Sequence, residues 1–252
     1  MKGVICVSTI KGGTGKTSTA AAIAQAAQQA GKKTLAIDLD PQANLTLFLN
    51  GDNTFTGGGS YELLHGRAAV QDTIQTTPQG IDLITSSDDL ATEKTTGGSA
   101  KRLEAAIEPI RKKYDYIIID CPPQMGELCF NALQAADGLL IPMEADNNSI
   151  KGLYQIADIA RQMKERSAEK LSIIGVIITR YRANAKINQF FADAIREAAD
   201  KLNAPYLGEI RDGVAIREAQ AMRKNLFEYA PKSNPAQDYK ELFDKIAKSR
   251  KK

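Results

Sequence analysis

Short apolar runs rich in β-branched residues alternate along this chain with longer amphipathic stretches, and that alternation restricts the fold more than any other feature. A run without polar alternation suits a strand buried on both faces, and an apolar spacing of three to four suits a helix covering it. The pattern therefore reads as β-α units building a mainly parallel sheet. Strand runs are Val4 to Ser8, Thr34 to Asp38, Ile81 to Ile84, Tyr116 to Asp120, Gly138 to Pro142, Ile173 to Thr179 and Tyr206 to Ile210. Helical periodicity covers Thr17 to Ala30, Ala100 to Lys113, Ile150 to Arg166, Ile187 to Leu202 and Ala236 to Lys248, with shorter pieces after Gly126 and near Ile216. The expected fold class is α/β: a doubly wound, mainly parallel sheet with helices on both faces.

No proline-rich or charged linker divides the 252 residues, so a single domain over 1–252 is expected, with no helix-turn-helix domain ahead of the first strand. Gly57-Gly58-Gly59 and Thr95 to Ser99 offer only glycine and small polar residues and read as surface loops. No apolar run approaches the ~18 residues that span a bilayer, and no charged N-terminal region leads into an apolar one. A formal net charge of +3 permits contact with DNA or acidic lipid without demanding it, so any basic surface must be local. Cys6, Cys121 and Cys129 contain no C-x-x-C pair and are expected as buried, reduced thiols, which implies a reducing cytoplasm. The single histidine, His65, has no catalytic company and reads as structural or merely exposed.

Chemistry concentrates in "STIKGGTGKTSTAAAIA", residues 8–24. The pattern G-x-x-x-x-G-K-[ST] ends correctly at Gly15-Lys16-Thr17, but Ile10 occupies its first glycine position and a second lysine, Lys11, follows. The segment has the strand, glycine turn and helix context that the motif requires. Gly12, Gly13 and Gly15 leave room for phosphate, their backbone amides can point inward, and the helix beginning at Thr17 adds its positive end. Lys16 would reach the β and γ phosphates, and the Thr17 hydroxyl would ligate Mg²⁺. Lys11 need not fold back onto its own site; it could reach a neighbour's nucleotide.

The K-G-G-T-G-K-T segment resembles the deviant Walker A motif of the ParA/MinD family of P-loop ATPases, in which the first lysine contacts the nucleotide of the other subunit. "TLAIDLDPQANLT" (34–46) is similar to the family's first switch, with Ala43 standing where glycine is common. "YDYIIIDCPPQMGELCFNAL" (114–133) resembles the strand and second switch of the short, Soj-like ParA branch, and "ADGLLIPMEADNNSIKGLYQI" continues the match. The resemblance implies ATP and Mg²⁺ as cofactors, with Lys11, Gly12, Gly13, Thr14, Gly15, Lys16, Thr17 and Ser18 on the nucleotide. It assigns Asp40 to the attacking water or to switch movement, and Asp120 to the Mg²⁺ shell beside Thr17; Asp40 is counted with the metal set and with the catalytic residues Lys11 and Lys16. Asp38 would support Lys16 or the metal shell. Thr179 and Arg180 follow a strand where a base could be contacted.

Among relatives, a ParA-like reading implies slow, partner-stimulated ATP hydrolysis, an ATP-dependent homodimer, nonspecific DNA binding, a ParB-like activator and a cytoplasmic, nucleoid-associated location. Candidate DNA contacts are Arg182, Lys186, Arg211 and Arg217, with Arg223 and Lys224 nearby, all shifted from the arginine positions of Soj-like proteins. A MinD-like alternative needs a membrane anchor, but Tyr239, Leu242, Phe243 and Ile246 form a stripe suited to packing on the domain, so no membrane partner is expected. A nucleotide-gated adaptor with little hydrolysis is the third reading. A nitrogenase iron-protein role lacks the separated cluster cysteines.

Overall fold

In a computed structural model that describes residues 3–50, 58–92 and 99–249, the alternation resolves into eight strands and ten α-helices among those residues. The first half contains β1 (Gly3–Val7), α1 (Lys16–Gln29), β2 (Thr34–Asp38), α2 (Asn44–Asn50), α3 (Ser60–Leu64), β3 (Ile74–Thr76), β4 (Asp82–Ile84), α4 (Arg102–Ile107) and β5 (Tyr116–Asp120). The second contains α5 (Glu127–Ala135), β6 (Gly138–Glu144), α6 (Ser149–Arg166), β7 (Ser172–Tyr181), α7 (Lys186–Lys201), β8 (Tyr206–Arg211), α8 (Val214–Ala221), α9 (Leu226–Tyr229) and α10 (Asn234–Ser249).

The sheet order is β3-β4-β2-β5-β1-β6-β7-β8, parallel throughout except for the β3–β4 pair. Successive β1 side chains enter opposite cores. Val4 and Cys6 pack with α4 to α7, and Ile5 and Val7 pack with α1, α2 and α8 to α10. The sheet is thus doubly wound. The chain builds outward from one side of β1 through β5, then crosses to the other side at β6, so the carboxyl end of β1 opens at the reversal where ligands bind in such sheets.

Three elements differ from the sequence reading. β3 was not anticipated; it is a three-residue antiparallel edge strand, too short to show a period, and Gly80 at φ 72 closes the turn that joins it to β4. The helix expected over Ala100 to Lys113 is interrupted, with α4 ending at Ile107 and separate 3-10 turns at Ser99–Lys101 and Arg111–Lys113. Pro109 lacks the N–H that a continuous helix would use. α2 arises inside the stretch read as a switch. Of the expected loops, Gly57 and Thr95 to Gly98 lie outside the described residues.

The α10 stripe is core: Tyr239, Leu242, Phe243 and Ile246 are all buried. The same helix protects the edge strand β8, since Lys245 Nζ donates to the Leu207 carbonyl at 2.7 Å and Asp238 accepts from the Arg211 amide at 2.8 Å. No described helix is long and apolar enough to cross a membrane.

At the β7–β8 contact the Leu207 side chain fills the space that a side chain at position 175 would need. A Cβ on Gly175 would fall 2.2 Å from Leu207 Cδ1 and 2.8 Å from its Cγ. Gly175→Ala should therefore overpack this contact and lower stability by about 1–3 kcal/mol, read as a lower denaturant midpoint at unchanged slope. A midpoint equal to the parent's would show that the Leu207 side chain repacks at no cost.

Candidate functional site

The loop after β1 turns through glycines in the left-handed region, Gly13 at φ 78 and Gly15 at φ 75. A side chain at either position would be strained. α1 begins at Lys16 with Gly15 as N-cap, no side-chain cap and no acidic residue in its first turn, so its leading amides are left for an anion. Thr179, buried at the end of β7, braces the loop from beneath by donating to the Thr14 carbonyl at 2.8 Å or to Met143 O at 3.1 Å. Lys16 folds back over the loop, its Nζ 3.2 Å from the Lys11 carbonyl. Burial lowers its pKa, and the nearby Asp120 and Asp40 carboxylates offset only part of that.

Parallel register sets the acidic side of the site. Asp120 is aligned with Val7 on β1 and with Asp38 on β2, so three strand ends lie side by side. Both oxygens of Asp120 are buried and accept no hydrogen bond. Burial pushes its pKa well up, the Asp38 charge adds to the rise, and the adjacent Thr17 hydroxyl and Lys16 ammonium offset part of it. Such a carboxylate, only partly offset by Lys16, can take a further cation. A hard-oxygen set of Asp120 and the Thr17 hydroxyl fits Mg²⁺, which is held by one or two protein oxygens plus phosphates and water. Accordingly, no cluster of three or more His, Cys, Asp or Glu side chains among the described residues forms a metal cage of its own.

Asp38 does something the sequence reading did not assign. Its oxygens accept from the Asp40 amide at 3.0 Å and from the Thr46 amide and hydroxyl, each at 2.8 Å. The Thr46 hydroxyl in turn accepts from the Ser86 amide at 3.0 Å. Asp38 thereby ties the start of α2 to β2, with burial pushing its pKa up to about 6 and the Thr46 and Asp40 bonds working against the rise. Ala43, in the position where glycine is common, has φ 51. The local geometry asks for glycine and the chain tolerates alanine at a cost. Asp40 is over nine-tenths buried, with one oxygen accepting from the Gln42 amide at 3.0 Å.

Lys11 points elsewhere. Its ammonium pairs with Glu144 at 3.2 Å and with Asp146, both at the end of β6, while Arg180 takes the other Glu144 oxygen at 2.8 Å. Burial pulls the Lys11 pKa down, but its hydrogen bonds to the Asp146 and Glu144 carboxylates outweigh it and the net direction is up. Thr179, Arg180 and Ser18 line a small cavity with Asp212, Ile216 and Gln220. Those last three are supplied by the loop after β8 and by α8, where no sequence motif marks them. The three free cysteines converge although far apart in sequence: Cys6 Sγ lies 3.3 Å from Cys121 Sγ, and Cys129 Sγ lies 3.3 Å from Ser8 Oγ. All three thiol pKa values lie above the ordinary range: burial raises Cys6 against the Cys121 contact, the Cys129 contact at Cys121 is outweighed by the Cys6 contact and burial, and the Cys121 contact and burial raise Cys129, as expected of inert reduced groups.

The basic candidates are not equivalent. Arg211 places its guanidinium on Asp238 in a two-pronged pair, with contacts of 2.6 and 3.0 Å. Arg182, with its side chain 67% exposed, pairs with Asp212 at 2.8 Å. Lys186 and Arg217 have no carboxylate partner among the described residues.

A glycine loop at a helix start, two lysines and strand-end carboxylates define a P-loop nucleotide-binding protein. A family model described as AAA domain matches residues 2–173. The sporulation initiation inhibitor protein Soj of Bacillus subtilis is 32% identical over 97% of this chain and 98% of its own length. The chromosome partitioning protein ParA of Caulobacter vibrioides is 33% identical over 95% of this chain and 91% of its own. The crystal structure of cobyrinic acid a,c-diamide synthase from Mycobacterium smegmatis, with bound ATP analog and magnesium, superposes with a TM-score of 0.84 at 26% identity, covering 100% of this chain and 96% of that one. The chain belongs to the ParA/MinD family of P-loop ATPases.

Replacing Thr46 by valine would leave the Ser86 amide without its acceptor and remove one of the Asp38 bonds. Thr46→Val should cost about 1–3 kcal/mol in urea unfolding. A cost below about 0.5 kcal/mol would show that Asp38 holds α2 through backbone alone.

Proposed function

We propose that this protein is a partition ATPase of the ParA type. It binds Mg-ATP, dimerises around two nucleotides, binds DNA without sequence preference as the dimer, and is reset by slow hydrolysis that a ParB-like partner accelerates. The observation that carries the reading is the division of labour between two lysines. Lys16 lies over its own loop, whereas Lys11 extends to carboxylates at the rim with its side chain 37% exposed. Solvent-screened pairs of this kind are worth about 1 kcal/mol or less, so a triphosphate from a second subunit would win Lys11 from Glu144 and Asp146. Relatives support the class, and the family's bound nucleotides support the cofactors.

In this reading the amides from Gly12 to Ser18 cradle the phosphates, Lys16 neutralises them, and Thr17 and Asp120 hold Mg²⁺. Bound there, the metal would draw off charge from the phosphate oxygens. Asp40 orients the attacking water, and Thr179 and Arg180 border the base. Lys186, Arg217 and Arg182 form the DNA surface; Arg211, committed to Asp238, contributes less than its sequence position implies. The protein would act in the cytoplasm on nucleoid DNA. Burial of the α10 stripe supports a packing role for it over a membrane-anchoring one.

Lys11→Ala should still bind ATP, because Lys16 and the loop amides remain, but should stay monomeric with ATP in analytical ultracentrifugation; a parent-like dimer would overturn the trans assignment. With ATP the parent should bind DNA with a steeper salt dependence than with ADP, since dimerisation doubles the phosphate contacts. Lys186→Ala with Arg217→Ala should flatten that slope by about 2 per subunit, at ~0.9 per lost contact, and leave the dimer intact. Unchanged affinity and slope would place the DNA elsewhere.

A further inference from the structure

Two adjacent hydroxyls of α1 are hydrogen-bonded to other helices, and they differ in what they face. Thr19 Oγ1 lies 3.1 Å from the Tyr239 hydroxyl of α10, and both residues are buried, so that pair is a fold contact. Ser18, one residue earlier, accepts at Oγ from Gln220 Nε2 of α8 at 2.9 Å. Both partners are half-buried and border the cavity of about 80 Å³ that they share with Gly15, Thr179, Arg180 and Asp212. A hydroxyl carries one proton and two lone pairs. With Gln220 as the donor, the Ser18 proton is left over, and it has no acceptor among the described residues.

The sheet order decides which part of a nucleotide that proton meets. Asp120 and Asp38 end β5 and β2 on one side of β1, whereas Thr179 and Arg180 lie near the end of β7 on the other, beyond β6. In the ATPase reading, metal and terminal phosphate belong to the first side and the nucleoside to the second. The phosphate nearest the nucleoside then comes to the part of the loop where Ser18 borders the cavity. We propose that Gln220 is a positioning residue for that phosphate: by donating to Ser18 Oγ it aims the serine proton at the nucleotide. ATP and ADP have this phosphate in common, so Gln220 serves nucleotide capture and not cleavage of the terminal phosphate. Accepting a hydrogen bond also polarises the hydroxyl and strengthens the bond it donates. A residue that only joined α8 to the domain would not need a donor, since α8 already packs through Ala215 and Ala219, both buried. This assignment rests on the ATPase reading above and adds to it a residue that no motif contains.

Isothermal titration of the full-length protein with Mg²⁺ and either ADP or a non-hydrolysable ATP analogue measures the capture step directly. Gln220→Leu keeps the bulk of the side chain and removes the donor; it should weaken both nucleotides by the same factor, about 3- to 10-fold, the worth of one neutral hydrogen bond. Gln220→Glu keeps the shape but can only accept, which turns the serine proton away from phosphate, so it should weaken both nucleotides more than Gln220→Leu does. Ser18→Ala removes the donor to phosphate, and adding Gln220→Leu to it should cost nothing further, because the two side chains act as one unit. Steady-state turnover should place the Gln220→Leu loss in KM and not in kcat. Additive losses in the double variant, a loss confined to the ATP analogue, or Gln220→Glu binding as tightly as the parent would overturn the assignment. Gln220→Glu, isosteric with the parent, decides the question should Gln220→Leu not fold. A parent that binds neither nucleotide sinks the ATPase reading itself, whereas parent-like affinities in the Gln220 variants sink this role alone.

Discussion

Asp38 and Asp120 are buried side by side at the carboxyl edge of the sheet, and the rest of the site is organised around that crowding. Two adjacent buried carboxylates are costly unless each is compensated. Asp38 is compensated internally, by the Thr46 amide and hydroxyl and the Asp40 amide. Asp120 is not, having Lys16 and the Thr17 hydroxyl nearby but no hydrogen bond of its own. The asymmetry divides the pair into an anchor for the first switch and an open acceptor facing the phosphate loop.

That division separates positions set by the sheet from positions set by local bonds. β1, β2 and β5 fix the positions of the loop, Asp38 and Asp120 through backbone register. The segments that follow are held by fewer and more local bonds: Asp40 through the Gln42 amide and the Ser86 hydroxyl, Lys11 through Glu144 and Asp146, and Glu127 through none at its carboxylate. Groups with incomplete local partners keep hydrogen-bonding capacity that a ligand could use. The cost is visible at Ala43, held in a backbone conformation that glycine would adopt without strain.

Much of this was legible in the sequence because the carrying features are local. Strand runs of buried β-branched residues, the Gly12 to Thr17 loop and the acidic strand ends each occupy a few consecutive positions. What was not legible depends on pairing at long range. β3 becomes a strand only through β4, and the break after Ile107 needed weight given to Pro109 against an otherwise helical period. The Asp38–Thr46–Ser86 chain, the meeting of Cys6, Cys121 and Cys129, and the neutralisation of Arg211 by Asp238 all join residues that no spacing rule connects. Charge alone made Arg211 a DNA candidate, and its pair with Asp238 on α10 is a contact that no spacing announces.

The central claim, that Lys11 serves the neighbouring subunit's nucleotide, is tested most directly by mixing two separately inactive proteins, Lys11→Ala and Asp40→Ala, and measuring phosphate release from ATP. In a mixed dimer the Lys11→Ala subunit keeps its own Asp40 and receives Lys11 from its partner, so one complete site is restored. The account predicts that the mixture hydrolyses ATP although neither protein does so alone. A mixture as inactive as its components, under conditions where mixed dimers form, would mean that Lys11 acts within its own subunit and would contradict the account.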